Sequence, residues 1–300
     1  NSALKSPQKT YSKDGTYKVL LRVISDNLCE DTVSQPVFVR PMPVAKISVD
    51  DSTQCFRYHE FNVVSQSSIS EGTLSHQWQF SDNVSDNGVN SSNRFSNYGS
   101  FEVKLISTSN FYCSDTAYNS LEVYPMPVAE ILINDTQQCI NNQSFEFTDN
   151  SKIAEGTLKR KWIFFDSIGT SAVVTRTFPK DTIYNTILVQ ESDFGCLDTT
   201  ERSILVWPKP IPSFTTSDSA QCLNQNFYRF TNQTTITKGT LTYDWLFDET
   251  NSGSTDVNPG YFYSFYGFKR PLLKATSDNG CWDTFSRIIR VNPMPKPAID

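Results

Sequence analysis

Short runs of alternating apolar and polar residues, separated by turn formers, follow one another along the chain. Phe61-Asn62-Val63, Leu74 to Phe80 and Phe101-Glu102-Val103-Lys104-Leu105 each set their apolar side chains on one face of an extended segment, since successive side chains of a strand point to opposite faces. Val44–Val49 predicts a strand before them and Leu121-X-Val123 a closing one. No window holds a 3.6-residue period, so the pattern predicts strands and almost no helix.

The same pattern returns at a fixed step. Pro41-Met42-Pro43 recurs as Pro125-Met126-Pro127, Pro208-Lys209-Pro210 and Pro293-Met294-Pro295, at intervals of 84, 83 and 85 residues. Glu71-Gly72-Thr73-Leu74 recurs as Glu155-Gly156-Thr157-Leu158 and Lys238-Gly239-Thr240-Leu241, each followed by a tryptophan, Trp78, Trp162 or Trp245. A Ser-X-X-X-Cys-X-Asp-Thr motif is centred on Cys29, Cys113, Cys196 and Cys281. The chain therefore parses as a truncated module (1–40), three whole modules (41–124, 125–207, 208–292) and the start of another (293–300). About 84 residues suits a seven-stranded sandwich, with each tryptophan on a central strand filling the gap between two sheets.

Composition supports thin β cores: Phe, Tyr, Thr, Val and Ile are plentiful, and only 38% of residues are hydrophobic. A net charge of −6 without clustered runs makes nucleic acid and anionic membranes poor partners. No stretch approaches the roughly 20 apolar residues of a membrane-spanning helix. The sequence opens in mid-pattern, so the lack of a signal peptide reads as that of a fragment.

The order Trp-X-Phe, then Gly-X-Tyr-X-Val-X-Leu (Gly15–Leu21), then a hairpin into Asp-Thr and a closing strand resembles the polycystic kidney disease (PKD) domain family. The resemblance covers the truncated module and all three whole ones. The family's Trp-X-Phe-Gly-Asp-Gly reads WQFSDN at Trp78–Asn83, WIFFDS at Trp162–Ser167 and WLFDET at Trp245–Thr250, so the turn after that strand must differ. Pro271 falls inside an expected strand, which points to an edge or bulge. The resemblance implies an all-β chain of tandem immunoglobulin-like sandwiches arranged as an elongated rod. Pro-X-Pro linkers and the hairpin cysteine also resemble the giant surface proteins of Bacteroidota, including the filamentous adhesins of gliding bacteria. That implies an extracellular, outer-membrane-associated location.

Seven cysteines in two recurring positions point to disulfides and an oxidising compartment. No pair has zinc-ligand spacing. Pairing within modules would join Cys55–Cys113, Cys139–Cys196 and Cys222–Cys281. In an immunoglobulin-like order, however, those positions lie at opposite ends of a sandwich, roughly 26 Å apart, whereas a disulfide needs Cα atoms within about 7 Å. Pairing between neighbours would join Cys55–Cys196 and Cys139–Cys281, with Cys29 and Cys113 reaching upstream and Cys222 downstream. Both pairings stand at this point. The Pro-X-Pro linkers independently favour extended, semi-rigid junctions.

Catalytic constellations are missing. His59 and His76 fall in one module, and Gln143 and Arg160 occupy the equivalent positions in the next. There is no phosphate-binding glycine loop, nucleophile elbow or HEXXH motif, so the chain reads as non-enzymatic and free of cofactors. Calcium is the one metal to weigh, through Asp50, Asp51, Asp82 or Asp86, but these do not recur in register and suit solvated turns. The Asp-Thr motif suits the opening of the last strand. Asp31-Thr32-Val33, Asp115-Thr116-Ala117, Asp181-Thr182-Ile183 and Asp218-Ser219-Ala220 also resemble a Bacteroidota O-glycosylation signal, making Thr32, Thr116, Thr182 and Ser219 candidate acceptors. Tyr261 and Tyr263, in an aromatic-rich segment, are candidate glycan contacts. The expected function is a structural and adhesive stalk whose partners are neighbouring modules, surface polysaccharide or other cell-surface components. Two alternatives are repeats that bind glycan directly and spacers of a larger secreted enzyme.

Overall fold

The computed structural model describes residues 1–247 and 252–297. Asp248, Glu249 and Thr250 of the WLFDET stretch, and residues 298–300 of the segment expected to open a further module, lie outside the described residues. Among the described residues every regular element is a strand. The chain divides into two compact units. One comprises Asn1–Pro127, Ile153–Leu158 and Glu191–Leu197, the other Val128–Lys152, Lys159–Gln190 and Asp198–Asp300.

In the first unit, β1 (Gly15–Ile24) and β2 (Glu30–Val39) form an antiparallel hairpin. Its apolar face is open: Val19 and Leu21 are exposed, whereas Val103 and Leu105, one repeat later, are fully buried. The repeat at 41–124 holds β3 (Ile47–Val49), β4 (Thr53–Cys55), β5 (Phe61–Ser65), β6 (Leu74–Phe80), β7 (Ser85–Asn87), β8 (Asn90–Asn93), β9 (Gly99–Ser109) and β10 (Ser114–Tyr124). One sheet has the order β3-β5-β8 and the other β4-β10-β9-β6-β7. The first strand thus switches sheets: β3 is antiparallel to β5, and β4, after a short turn, runs parallel to β10. This crossing places Cys55 beside Tyr124, at the end of the closing strand. Phe61, Val63, Trp78, Phe80, Val103, Leu105, Leu121 and Val123 fill the space between the sheets, and the Trp78 indole N–H donates to the Gly88 carbonyl at 3.0 Å.

The core in the second unit at 131–206 is built alike, from Phe145, Phe147, Trp162, Phe164, Leu188, Ile204 and Val206. That at 214–291 uses Phe214, Tyr228, Phe230, Trp245, Phe247, Leu273, Ile289 and Val291. The other two core tryptophans, Trp162 and Trp245, likewise donate their N–H to a loop carbonyl, Ser171 at 2.9 Å and Asp256 at 3.0 Å. In the third core the long strand expected through Pro271 is broken into Gly267–Lys269 and Leu272–Ser277, and its partner into Trp282–Ser286 and Ile289–Asn292, so the sheet splits in two. Proline has no N–H to give the ladder, which is the physical reason for the break.

The recurring tetrapeptide is explained by its glycine. Gly72, Gly156 and Gly239 have φ of 103°, 90° and 101°, and a Cβ there would stand 2.3–2.5 Å from the side-chain oxygen of Asn110, Asp193 or Asp278. Those oxygens accept from the Thr73 and Thr157 amides, while the amides of Asn110, Asp193 and Asp278 donate to Thr73, Thr157 and Thr240 carbonyls. Only glycine lets the loop zip against the cysteine hairpin.

Candidate functional site

The constellation that recurs is the junction between one repeat and the next. Its first component is the Ser-X-X-X-Cys hairpin. Ser25, Ser109, Ser192 and Ser277 each accept the amide of the cysteine four residues on, at 3.1–3.2 Å, which fixes the turn that presents the thiol. The second is the short sheet-switching strand ending in Cys55, Cys139 or Cys222.

Cys55 is bonded to Cys196 and Cys139 to Cys281, with Cα separations of 5.6 and 5.5 Å. Each bridge takes the first cysteine of one repeat to the second cysteine of the next. Neither Cys55–Cys113 nor Cys139–Cys196 forms, and Cys29, Cys113 and Cys222 are free thiols. Beside each hairpin the residue that closes the preceding repeat makes a ring contact. The Arg40 guanidinium lies 4.3 Å from the Phe111 ring centroid, Tyr124 stacks on Phe194 at 4.3 Å, and Lys238 stands 5.8 Å over Trp207. In the last case Asn279 replaces the hairpin Phe and Lys238 replaces a Glu, so the ring keeps a partner by exchange. Thr237 donates to the Asp181 carboxylate at 2.7 Å across the same junction, beside a cavity of about 370 Å³ lined by Ile183, Trp207 and Lys238.

The Asp of Asp-Thr latches the linker. Asp115 accepts the Ala45 amide at 2.8 Å and Asp198 the Ala129 amide at 2.9 Å. At the third equivalent position Pro212 has no N–H, and Asp283 instead takes the Lys209 ammonium at 2.6 Å. Lys209 stands where the other linkers have Met42 and Met126. That hydrogen bond, against a smaller opposing effect of burial, holds the Asp283 carboxyl below its ordinary range. Sequence reading missed this latch; its signal was the paired replacement of Ala by Pro and Met by Lys.

His59 is a buried clamp. One ring nitrogen contacts the Phe56 carbonyl at 2.8 Å and the other accepts the Phe95 amide at 2.8 Å. Gln143 and Asn226 do the same for Phe178 and Tyr263. His76 sits near the Ser65 and Ser107 hydroxyls, and burial lowers its pKa. Arg160, at its equivalent, pairs with Asp149 at 2.6 Å. Burial alone would raise the Asp149 pKa, but the hydrogen bonds from Ser151 and Arg160 outweigh it and hold the carboxyl low.

The glycan expectation is corrected at Tyr263. Its amide is held by Asn226 and its ring packs against Tyr228 in the core, leaving 2% exposed. Tyr261 is half-buried, stacked on Phe247 at 4.5 Å. The exposed aromatics of this segment are Phe262, Phe265, Tyr266 and Phe268. Thr32, Thr116, Thr182 and Ser219 are all exposed. Asp50, Asp82 and Asp86 accept from Asn62, Asn93 and Ser91, and Asp51 from the Thr53 amide. Among the described residues no three His, Cys, Asp or Glu side chains group as metal ligands, and no helix is long and apolar enough to cross a membrane.

Residues 40–123 match the family model described as PKD domain. Among solved structures, the chain is similar to the PKD1 domain of Vibrio anguillarum Epp, at 23% identity over 29% of this chain and 96% of that one, with a TM-score of 0.26. It is also similar to three N-terminal domains of the bacteriophage RB49 outer capsid protein Hoc, at 11% identity over 85% and 100%, with a TM-score of 0.36. Drosophila N-cadherin EC1-4 aligns at 10% identity over 95% and 85%, with a TM-score of 0.36. No curated protein matches. The chain is an all-β array of tandem β-sandwich repeats, one of which, at residues 40–123, matches the PKD domain model.

Proposed function

We propose that the chain is a non-catalytic structural and adhesive stalk, a piece of a secreted or surface-anchored repeat protein. The observation that carries this reading is the direction of the disulfides, from each repeat to the following one. A bridge inside a sandwich would stabilise a fold that already has a core. A bridge between sandwiches, added to a proline linker and an Asp latch, removes hinge freedom, which serves reach and stiffness and nothing in an isolated module. Persistent disulfides suit an extracellular location. The style of the repeat supports a large Bacteroidota cell-surface protein, such as a filamentous adhesin of gliding cells, as its source. The test is the distance distribution between spin labels on adjoining repeats. It is narrow with both bridges intact and broadens on reduction. An equally broad distribution in the oxidised chain overturns the stalk. Saturable binding of the same chain to surface polysaccharide would instead make the repeats themselves the adhesive element.

A further inference from the structure

The cavity of about 370 Å³ between the second and third whole repeats is walled by residues that the preceding junction does not have. There, Tyr98, Tyr124, Ala154, Glu155 and Phe194 hold the equivalent positions, and Tyr124 and Phe194 stack face to face at 4.3 Å. Here Asp181, Trp207, Thr237, Lys238 and Asn279 take their places. The exchange of Phe194 for Asn279 removes the stacking ring, and Trp207 borders the cavity instead. Its indole is held by its own N–H, which donates to Gln137 Oε1 at 3.2 Å. The Thr237 hydroxyl donates to Asp181 Oδ2 at 2.7 Å, which fixes the carboxylate in the cavity wall and leaves Oδ1 to accept another donor. The Lys238 ammonium stands 5.8 Å from the Trp207 ring centroid. An aromatic ring, a charged acceptor and a charged donor thus converge on a volume at the lower end of the small-ligand range, about 300–1,000 Å³.

We infer that this cavity binds a neutral saccharide whose pyranose rings carry equatorial hydroxyls, as in β-linked glucose. Such a ring presents only C–H groups on its two faces and sets its O–H groups around the edge. A face laid on Trp207 takes the apolar surface of both out of water. At the edge, Asp181 Oδ1 accepts one hydroxyl hydrogen and Lys238 Nζ donates to a neighbouring hydroxyl oxygen, and both hydrogen bonds are strengthened by the charge. One anion and one cation cancel across the cavity, which suits an uncharged ligand. The site is shared: Asp181 and Trp207 come from the second whole repeat, Thr237 and Lys238 from the third. The inference names a ligand class for the adhesive side of the stalk reading, and it rests on that reading for a joint that stays closed around Cys139–Cys281.

The test is a titration of the whole oxidised chain with cellotetraose, followed by NMR at the indole N–H signals of its five tryptophans. The Trp207 signal, assigned by its loss in W207A, should shift saturably while those of Trp78, Trp162 and Trp245 stay put. W207A, D181A and K238E, the last taking the residue of the preceding junction, should each weaken binding about tenfold, read for W207A by calorimetry. Unmoved core tryptophan signals and recovery of both bridges in peptide mapping confirm that a variant folds. No shift of Trp207 up to about 20 mM sugar overturns the inference, and a narrow spin-label distribution in the same chain leaves the stalk standing. Binding of unchanged strength in W207A and D181A puts the sugar elsewhere and overturns the site. Tighter binding of tetragalacturonate than of cellotetraose overturns the neutral class. A broad spin-label distribution beside intact sugar binding sinks the stalk alone.

Discussion

The two bridges interlace along the chain, and that makes a prediction with a distinctive arithmetic. Cys55–Cys196 spans 141 residues, Cys139–Cys281 spans 142, and the two spans overlap from Cys139 to Cys196. When the chain is pulled by its ends and fully unfolded, the shortest covalent route from Cys55 to Cys281 crosses both bridges. It uses only the overlap, 57 residues (196 − 139) of the 226 (281 − 55) between them, so 169 are shielded from extension. At about 3.5 Å per extended residue the oxidised chain should be roughly 590 Å shorter in contour than the reduced one. The single variants carry the sharper test. Cys139→Ser leaves 141 residues shielded, so it restores only 28 residues (169 − 141), or about 100 Å. Cys55→Ser restores 27 (169 − 142), and the double variant restores all 169. Bridges confined within repeats would be additive instead, with Cys139→Ser alone restoring the 57 residues of Cys139–Cys196, about 200 Å. Single-molecule extension of the full chain, with and without reductant, reads these lengths directly. A release near 200 Å for Cys139→Ser, or any change in the oxidised length with Cys113→Ser, refutes the interlaced staple.

Three further outcomes follow from the packing. H59L strips the Phe95 amide of its buried acceptor and should destabilise the first sandwich by about 2–4 kcal/mol, with faster hydrogen exchange at Phe95. H59Q keeps both contacts, as Gln143 does, and should cost under about 1 kcal/mol; equal losses for the two variants would sink the clamp. Gly156→Ala forces a Cβ to within 2.3 Å of Asp193 Oδ1 at positive φ, so urea denaturation should show a loss of about 2 kcal/mol or more, and a neutral result removes the loop–hairpin zipper. Asp283 has a lowered carboxyl pKa, so its contribution is present above the ordinary carboxylate value and is lost as pH falls through the lowered one. Lys209→Met should return the Asp283 titration, followed by NMR, towards the ordinary range, and an unmoved midpoint would show that the ammonium is not its cause.

Much of the molecule was decided locally and is therefore readable along the chain. The repeat step, the strand faces around Phe61 and Val63, and the three core tryptophans follow from alternation, because a strand buries every second side chain whatever lies elsewhere. The placement of Tyr263 is not decided locally. Its burial is set by a clamp from Asn226, 37 positions away, and alternation alone does not say which aromatics of a crowded run turn inward. Choosing among seven cysteines likewise required knowing that the first strand switches sheets and ends beside the closing one, at a repeat's far end. The latch was hidden for the same reason, as Asp283 and Lys209 lie 74 residues apart and meet only once the last strand returns to the linker. Periodicity fixes what one strand shows to each side. Which strand arrives there, and which thiol it brings, is settled by contacts that span a whole repeat.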